Sequence, residues 1–269
     1  MFLKNIYYNF KHYQFLLYEL IKRDFKVKYK RSVLGVMWSI LYPLLMMSVM
    51  ALVFSNIFRF QMEGVNFLVY LMTGLVVFQF FSEATSGSLT AIIGNFSLIN
   101  KVYIPKYIFP LAKCLFATLN FALTLIPLFL IILVTGSYET GTNCYLNVYY
   151  LLLPFIMFCL LMFVIGVSYF LSTMTVFLRD VLYIWGIVLT IFQYFTPIFY
   201  PIGMLPDWLG NIIRFNPLYV YISSMREIFL FSRPPTNMTL LLGFLFGLTT
   251  MIIGMYIFRK KQDKFVYYI

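Results

Sequence analysis

The side chains in this sequence best suited to engage another molecule are aromatic, not catalytic. Nine carboxylates and a single histidine, His12, serve 269 residues, and no paired acids, Ser/His/Asp set or His/Cys metal cluster can be assembled from them. The G-x-x-x-x-G-K-[ST] phosphate loop does not occur, so a process driven by ATP would need another chain to bind the nucleotide. Cys114, Cys144 and Cys159 are an odd set without metal-ligand spacing and read as packing or loop residues. Aromatic residues make up 21% of the chain, with 22 tyrosines among them. A phenol offers an apolar face and a hydroxyl, which suits sliding contact with sugar rings that show C–H on one side and hydroxyls around the edge. The same residue type also builds the interfacial belts of membrane proteins.

The elements that must position these side chains are written for a bilayer. Uncharged, mainly apolar runs cover 32–58, 64–82, 114–138, 140–178, 181–206 and 234–258, each long enough to include a helix of about 20 residues crossing roughly 30 Å of hydrocarbon. Lipid offers the backbone no partners, which leaves helices or closed barrels, and barrel strands would alternate apolar and polar residues over much shorter stretches. The expected fold is therefore an all-α integral membrane protein with six transmembrane helices. Sixteen of the twenty basic residues lie before helix 1, in the 2–3 and 4–5 connections and in the tail, against Arg59, Arg214, Arg226 and Arg233 on the other side. By the positive-inside rule both termini are cytoplasmic. The organisation expected is an N-terminal amphipathic segment over 1–31, a six-helix domain over 32–258 and a cytoplasmic tail over 259–269.

The net charge of +11 does not point to nucleic acid, because the basic residues are dispersed among membrane-proximal connections and form no single face with base-stacking aromatics. Anionic lipid headgroups are the partner this distribution fits. The chain starts with eight cations before a very long apolar run, unlike a cleavable signal, and its C-terminus has no lipidation box. Over the first thirty residues Ile6, Phe10, Tyr13, Leu17 and Leu20 fall within roughly 80° on a helical wheel, while Lys4, Lys11 and Lys22 centre roughly 150° away. That pattern predicts an amphipathic helix along the membrane surface, its aromatic and aliphatic face in the acyl boundary. It serves either as a basic anchor or, in addition, as a docking surface for a cytoplasmic partner.

Two connections are unusual. Residues 86–110 are longer than a turn, and Ile92, Phe96 and Ile99 recur at helical spacing. The resulting short cytoplasmic helix needs a protein, or the bilayer, to bury its apolar edge. After helix 5 the chain is apolar and aromatic, yet Pro197, Pro201, Pro206 and Pro217 cut it into pieces too short to span. Two half-helices near 207–215 and 218–231 that dip in from outside would fit, since irregular backbone at depth must lie inside protein or beside a watery cavity; an interfacial hairpin is the other solution. Ionisable residues at membrane depth are nearly absent, with Glu83 just past the second apolar run and Arg179 and Asp180 at a cytoplasmic boundary. That argues against a proton- or sodium-coupled transporter, as does the lack of an internal repeat.

Several stretches carry a resemblance. LYELIKRDFKVKYKRSVLGVMWSILYPL from Leu17, FFSEATSGSLTAIIGNFSLINKVYIPKYIFPLA from Phe80, VFLRDV before helix 5, and FTPIFYP followed by LP and FNPL resemble, in order and over nearly the whole chain, the permease subunits of ABC-2 type exporters of cell-surface polysaccharides, the O-antigen, capsule and teichoic-acid exporters. The resemblance implies a homodimer in the bacterial plasma (inner) membrane, paired with two copies of a P-loop ATPase that holds ATP and Mg, with no cofactor on this chain and a lipid-linked polysaccharide as substrate. It implies a coupling helix near 91–104 meeting the ATPase through Ile92, Asn95, Phe96, Leu98, Ile99, Asn100 and Lys101, an interface helix beside it, and a re-entrant outer segment over 201–231. Helices 1 and 5 would line the conduit, with Trp38, Tyr42, Tyr194, Phe199 and Tyr200 as sugar contacts and Arg179 and Asp180 at the cytoplasmic entrance. A related ABC-2 permease for a lipid or small hydrophobic drug is the alternative, to be separated by whether the neighbouring genes encode glycosyltransferases.

Overall fold

The computed structural model describes residues 2–30, 34–53, 67–102, 104–139 and 147–268, and every element among them is helical. Arg31, Arg59 and Cys144 lie outside the described residues, as do the side chains of Lys4, Ile6, Phe10, Lys11 and His12. The principal helices are α1 (Phe2–Tyr29), α2 (Trp38–Val53), α3 (Phe67–Leu89), α4 (Phe96–Ile99), α5 (Ile108–Glu139), α6 (Leu153–Phe177), α7 (Val181–Phe195), α8 (Asp207–Arg214), α9 (Pro217–Phe229), α10 (Asn237–Lys261) and α11 (Phe265–Tyr268).

Four helices, α3, α5, α6 and α10, contain stretches long and apolar enough to cross a membrane. Two more, α2 and α7, are apolar but only 16 and 15 residues long, or about 24 Å at roughly 1.5 Å per residue. The fifth apolar run, expected to continue to 206, leaves helix at Thr196, where Pro197 follows and forces extended backbone on the residue before it. In the opposite sense α3 continues past its apolar run through Glu83 to Leu89, because Thr85 and Ser88 return their hydroxyls to the carbonyls of Phe81 and Ala84 at 2.7 Å and so need no outside partner.

The core is a bundle of α3, α5 and α6, with α9 wedged among α3, α6 and α10. Nine of the thirteen residues of α9 are buried, so this helix packs inside the protein, whereas α8 buries only Ile213. The start of α9 is fixed by Asn216, whose Oδ1 accepts from the backbone N–H of Leu218 at 3.0 Å and whose Nδ2 donates to Thr196 Oγ1 at 2.9 Å. Pro217 fills the first helical position, where the missing N–H costs nothing. Further along, the Tyr221 hydroxyl donates to the carbonyls of Gly243 at 2.7 Å and Cys159 at 3.2 Å, joining α9 to α10 and α6.

The tightest helix pair is α6 with α10. A Cβ at Gly247 would lie 2.6 Å from the Cys159 carbonyl oxygen, and one at Gly254 would overlap the backbone of Gly166. Small residues let two backbones approach this closely, which is how helices gain packing where lipid removes the hydrophobic drive.

The expectation for α1 changes. The α1 stripe, predicted to enter the acyl boundary, turns Leu17 and Leu20 into the protein's own core with Tyr13, Leu16 and Ile21 beside them, while Phe15 and Tyr18 are exposed. The start of α5 supplies the apolar partner, with Tyr13 and Leu17 meeting Tyr107, Ile108 and Leu111. The tail folds back as well: Phe265 is buried against Phe177 and Phe258 at ring separations of 5.9 and 5.4 Å, and Lys106 Nζ donates to the Gln262 carbonyl at 2.8 Å.

Replacing Gly254 with Val should separate α6 from α10 and destabilise the protein by about 3 kcal/mol or more, read as early aggregation in a thermal ramp of the detergent-purified chain. Gly186→Ala, where an added methyl meets nothing within 4 Å, should be neutral or stabilise by up to about 1 kcal/mol.

Candidate functional site

At the end of the bundle where α1 packs, three polar contacts join α1 to the loop after α3 and to the bundle. Arg23 Nη1 donates to Asn95 Oδ1 at 2.8 Å, Lys113 Nζ pairs with Asp24 at 2.7 Å, and Lys28 Nζ pairs with Glu83 at 2.7 Å. Asn95 itself returns Nδ2 to the Ala91 carbonyl at 2.8 Å, which fixes the 3-10 turn Ile93–Asn95. Ile92, placed by the sequence on an edge open to a partner, is 0% exposed and belongs to the chain's own core; Asn95 is buried too. The face left open carries Ser97, Asn100, Lys101 and Val102, with Phe96, Leu98 and Ile99 half-buried behind it.

Glu83 sits within α3, where it accepts from Lys28 and also from Asn120 Nδ2 at 2.7 Å. Beside this trio a cleft of about 410 Å³ opens between α1, α2, α3 and α5, and Trp38 and Tyr42 line it from α2. The other aromatic candidates gather elsewhere. Tyr194 is 65% exposed on α7, its ring lies 6.1 Å from that of Phe199, and its carbonyl accepts the Tyr200 hydroxyl at 2.7 Å. The five candidates thus form two clusters, one in the cleft and one at the end of α7. Arg179 and Asp180 are both exposed at the α6–α7 turn, where the Asp180 carbonyl accepts from the backbone of Tyr183 and Ile184 at 3.0 Å.

The sequence reading missed Arg226, counted there as an outer-loop cation. It is 5% exposed on α9 and donates to the carbonyls of Pro197 at 2.8 Å, Ile198 at 3.2 Å and Tyr70 at 3.1 Å, while its guanidinium lies 3.4 Å from the centre of the Tyr70 ring. The signal was present: Ile222 and Phe229, four positions before and three after, share its helical face, and both are fully apolar and buried.

The model of the ABC-2 type transporter family matches residues 15–230, a span that takes in the second half of α1, the 90–102 loop, the cleft and α9. The chain belongs to the ABC-2 type transporter family. Among relatives of this ABC-2 chain, an O-antigen export system permease protein of Klebsiella pneumoniae is 30% identical over 258 residues, covering 96% of both chains. One from Myxococcus xanthus is 27% identical over 256 residues, covering 94% of this chain and 95% of its own. A polysialic acid transport protein of Escherichia coli is 25% identical over 247 residues, covering 91% of this chain and 92% of its own.

Replacing Arg226 with Met should remove the charged donors shared by the carbonyls of Tyr70, Pro197 and Ile198 and lower stability by at least about 2 kcal/mol. Arg226→Lys should recover only part of this, because an ammonium cannot reproduce the planar fork. Thermal shift of the purified protein separates the two outcomes.

Proposed function

We propose that this chain is the transmembrane permease of an ATP-driven exporter that carries a lipid-linked cell-surface polysaccharide across the bacterial plasma membrane. The observation that carries the reading is end-to-end similarity, 30% identity over 96% of both chains, to a permease named for O-antigen export. In this reading two copies form the transport path and two copies of a P-loop ATPase drive it. Six helices cross the membrane, with the short α2 and α7 completing the count and both termini cytoplasmic.

The transport cycle needs two conformations, and ATP can bias them only if the ATPase grips one arrangement of its contact surface better than the other. The surface fitted to that grip is the tip formed by Ser97, Asn100, Lys101 and Val102. Ile92 and Asn95 hold the tip from within, and Arg23 passes its displacement to α1. From there the Asp24–Lys113 and Lys28–Glu83 pairs carry it to α5 and α3. A tilt of these packed helices would move α7 and the α8–α9 segment at the opposite end, widening the seam between protomers for an extended glycan. Weak, repeated contacts with Trp38, Tyr42, Tyr194, Phe199 and Tyr200 suit a moving chain, because tight binding would hold the polymer in place. Arg179 and Asp180 stand where such a chain would enter, and the α8–α9 segment where it would leave.

Deleting the gene should abolish surface glycan while lipid-linked polymer accumulates inside the cell; normal surface display would end this reading. In the restored strain, Val102→Asp should reduce co-purification of the ATPase and export at least about tenfold, one interface contact being worth about that much, with membrane insertion unchanged. Orientation has its own check. In a Cys144→Ser background, a membrane-impermeant maleimide applied to spheroplasts should label Thr236→Cys and leave Lys264→Cys unlabelled.

A further inference from the structure

Helix α10 turns a graded stripe away from the protein. Leu241, Leu245, Thr249, Ile252, Tyr256 and Lys260 recur at three- and four-residue spacing and are all exposed. They lie opposite Gly243, Gly247, Gly254 and Phe258, the residues this helix buries. The order along the stripe is the order of layers in a bilayer: hydrocarbon side chains, with the Thr249 hydroxyl returned to the Leu245 carbonyl at 2.7 Å, then a phenol, then an ammonium. Lys260 Nζ lies 5.8 Å from the centre of the Tyr256 ring. Beyond this point the chain stays fixed to the bundle. A 3-10 turn, Gln262–Lys264, leads into α11, and the buried Phe265 ring and the Lys106 bond to the Gln262 carbonyl hold that turn in place. Tyr267, two residues past the buried ring, is 86% exposed.

The charges at this end are unbalanced. Arg259, Lys260, Lys261 and Lys264 stand against one side-chain carboxylate, Asp263, and among the described residues no acid pairs with any of the three lysines. Lys261 Nζ lies 5.6 Å from the centre of the Phe177 ring, which keeps it beside α6. The negative end of the helix dipole accounts for cations in the last turn of α10, but not for Lys264, which lies past that turn, nor for a tail docked through Phe265. We propose that the last turn of α10 and the docked tail form a binding surface for the headgroup of an anionic phospholipid, with Lys260, Lys261 and Lys264 facing its phosphate and Tyr256 at the boundary with its acyl chains. The stripe favours a lipid over a soluble protein. Its apolar part needs cover along the length of α10, which acyl chains supply and a soluble domain cannot reach, and the ammonium groups begin one turn beyond the aromatic ring, where headgroups begin. This inference requires that α10 crosses the bilayer and is independent of what the protein exports.

The test uses the full chain purified in a neutral maltoside detergent and titrated with mixed micelles containing phosphatidylglycerol, with phosphatidylcholine as the zwitterionic control. Native mass spectrometry reads the lipid retained, and a thermal ramp reads the midpoint at each concentration. Phosphatidylglycerol should bind saturably and raise the midpoint, as a ligand of the folded state does, and phosphatidylcholine should do neither. The combined change Lys260→Gln, Lys261→Gln and Lys264→Gln should raise half-saturation at least about tenfold, each cation near the surface being worth about fivefold. Phe265→Asn keeps every charge but undocks the tail and should raise it about fivefold, the share of Lys264. Lys22→Gln, Lys26→Gln and Lys30→Gln together remove the same charge from α1 and should leave half-saturation unchanged. The proposal is overturned if phosphatidylglycerol is retained no better than phosphatidylcholine, if the α1 and tail triplets shift half-saturation equally, or if Phe265→Asn leaves it where it was. It is overturned as well if the tail triplet keeps its lipid affinity and instead loses a co-purifying ATPase, which would make this a protein-docking surface.

Discussion

The constraint on which the packing of α9 against the rest of the protein depends is the need of a buried guanidinium for acceptors. Removing a charge from water is costly unless it is fully hydrogen-bonded, and Arg226 meets that demand with main-chain carbonyls drawn from two places, Tyr70 within α3 and Pro197 and Ile198 in the extended segment after α7. Both supplies exist for local reasons. Pro197 ends α7 and leaves the carbonyls beyond it without helical donors. At Gly74, a Cβ would lie 3.0 Å from the Arg226 Nη2, so the bare glycine is what admits the side chain to the Tyr70 carbonyl. The arginine thereby makes one unit of the α3 start, the post-α7 segment and α9, and the broken backbone inside the protein is stable because those carbonyls are satisfied.

The α1 end of the bundle is joined by ion pairs where the Arg226 end is joined by carbonyls. Helix α3 runs between the two regions: near its start Tyr70 meets Arg226, and towards its end Glu83 meets Lys28 and Asn120. Most of the side chains between those points are buried, and a close-packed interior resists gradual deformation. The stretch of α3 between the two regions is therefore built as a rod and not as a hinge. The pairs at the α1 end are partly exposed, with Lys28 and Glu83 at 42% and 29% of their side-chain area, so they are weaker than the buried arginine contacts and are the joints at which rearrangement costs least.

What the sequence reveals and what it conceals follow from the range of the forces involved. Bilayer length and positive-inside asymmetry are properties of contiguous segments, so α3, α5, α6 and α10 can be placed by inspection, as can the breaks at Pro201, Pro206 and Pro217. Helix spacing likewise places α1 and marks Tyr13, Leu17 and Leu20 as one face, but it does not say whether lipid or protein covers that face; the answer lies in Tyr107 and Leu111, some ninety residues away. The polar anchors are concealed for the same reason. Glu83 next to an apolar run reads as a boundary residue until Lys28 and Asn120 are brought to it from 55 and 37 positions away. Of the candidate contact residues, the sequence brings together Trp38 with Tyr42 and Tyr194 with Phe199 and Tyr200, which are close along the chain, but not the Asn120 cleft, which is assembled from four helices.

The helix least held by this framework is α7. None of its residues is buried, and its main attachments to α3 are the Trp185 Nε1 bond to Thr85 Oγ1 at 3.1 Å and the packing of Trp185 and Phe192 on the Phe81 ring. Its polar Thr190 is satisfied within the helix by the Gly186 carbonyl at 3.0 Å. An apolar helix with this much open surface requires an apolar neighbour, either acyl chains or a second copy of the protein. Because few core contacts would have to break, α7 can change that neighbour without unfolding the bundle, whereas the segment that follows it is clamped by Arg226. The helix is thus held by one edge, at Trp185 and Phe192, and clamped just beyond its end. Any tilt about that clamp would displace the exposed start at Arg179 and Asp180 more than the Tyr194–Tyr200 cluster, which lies beside it.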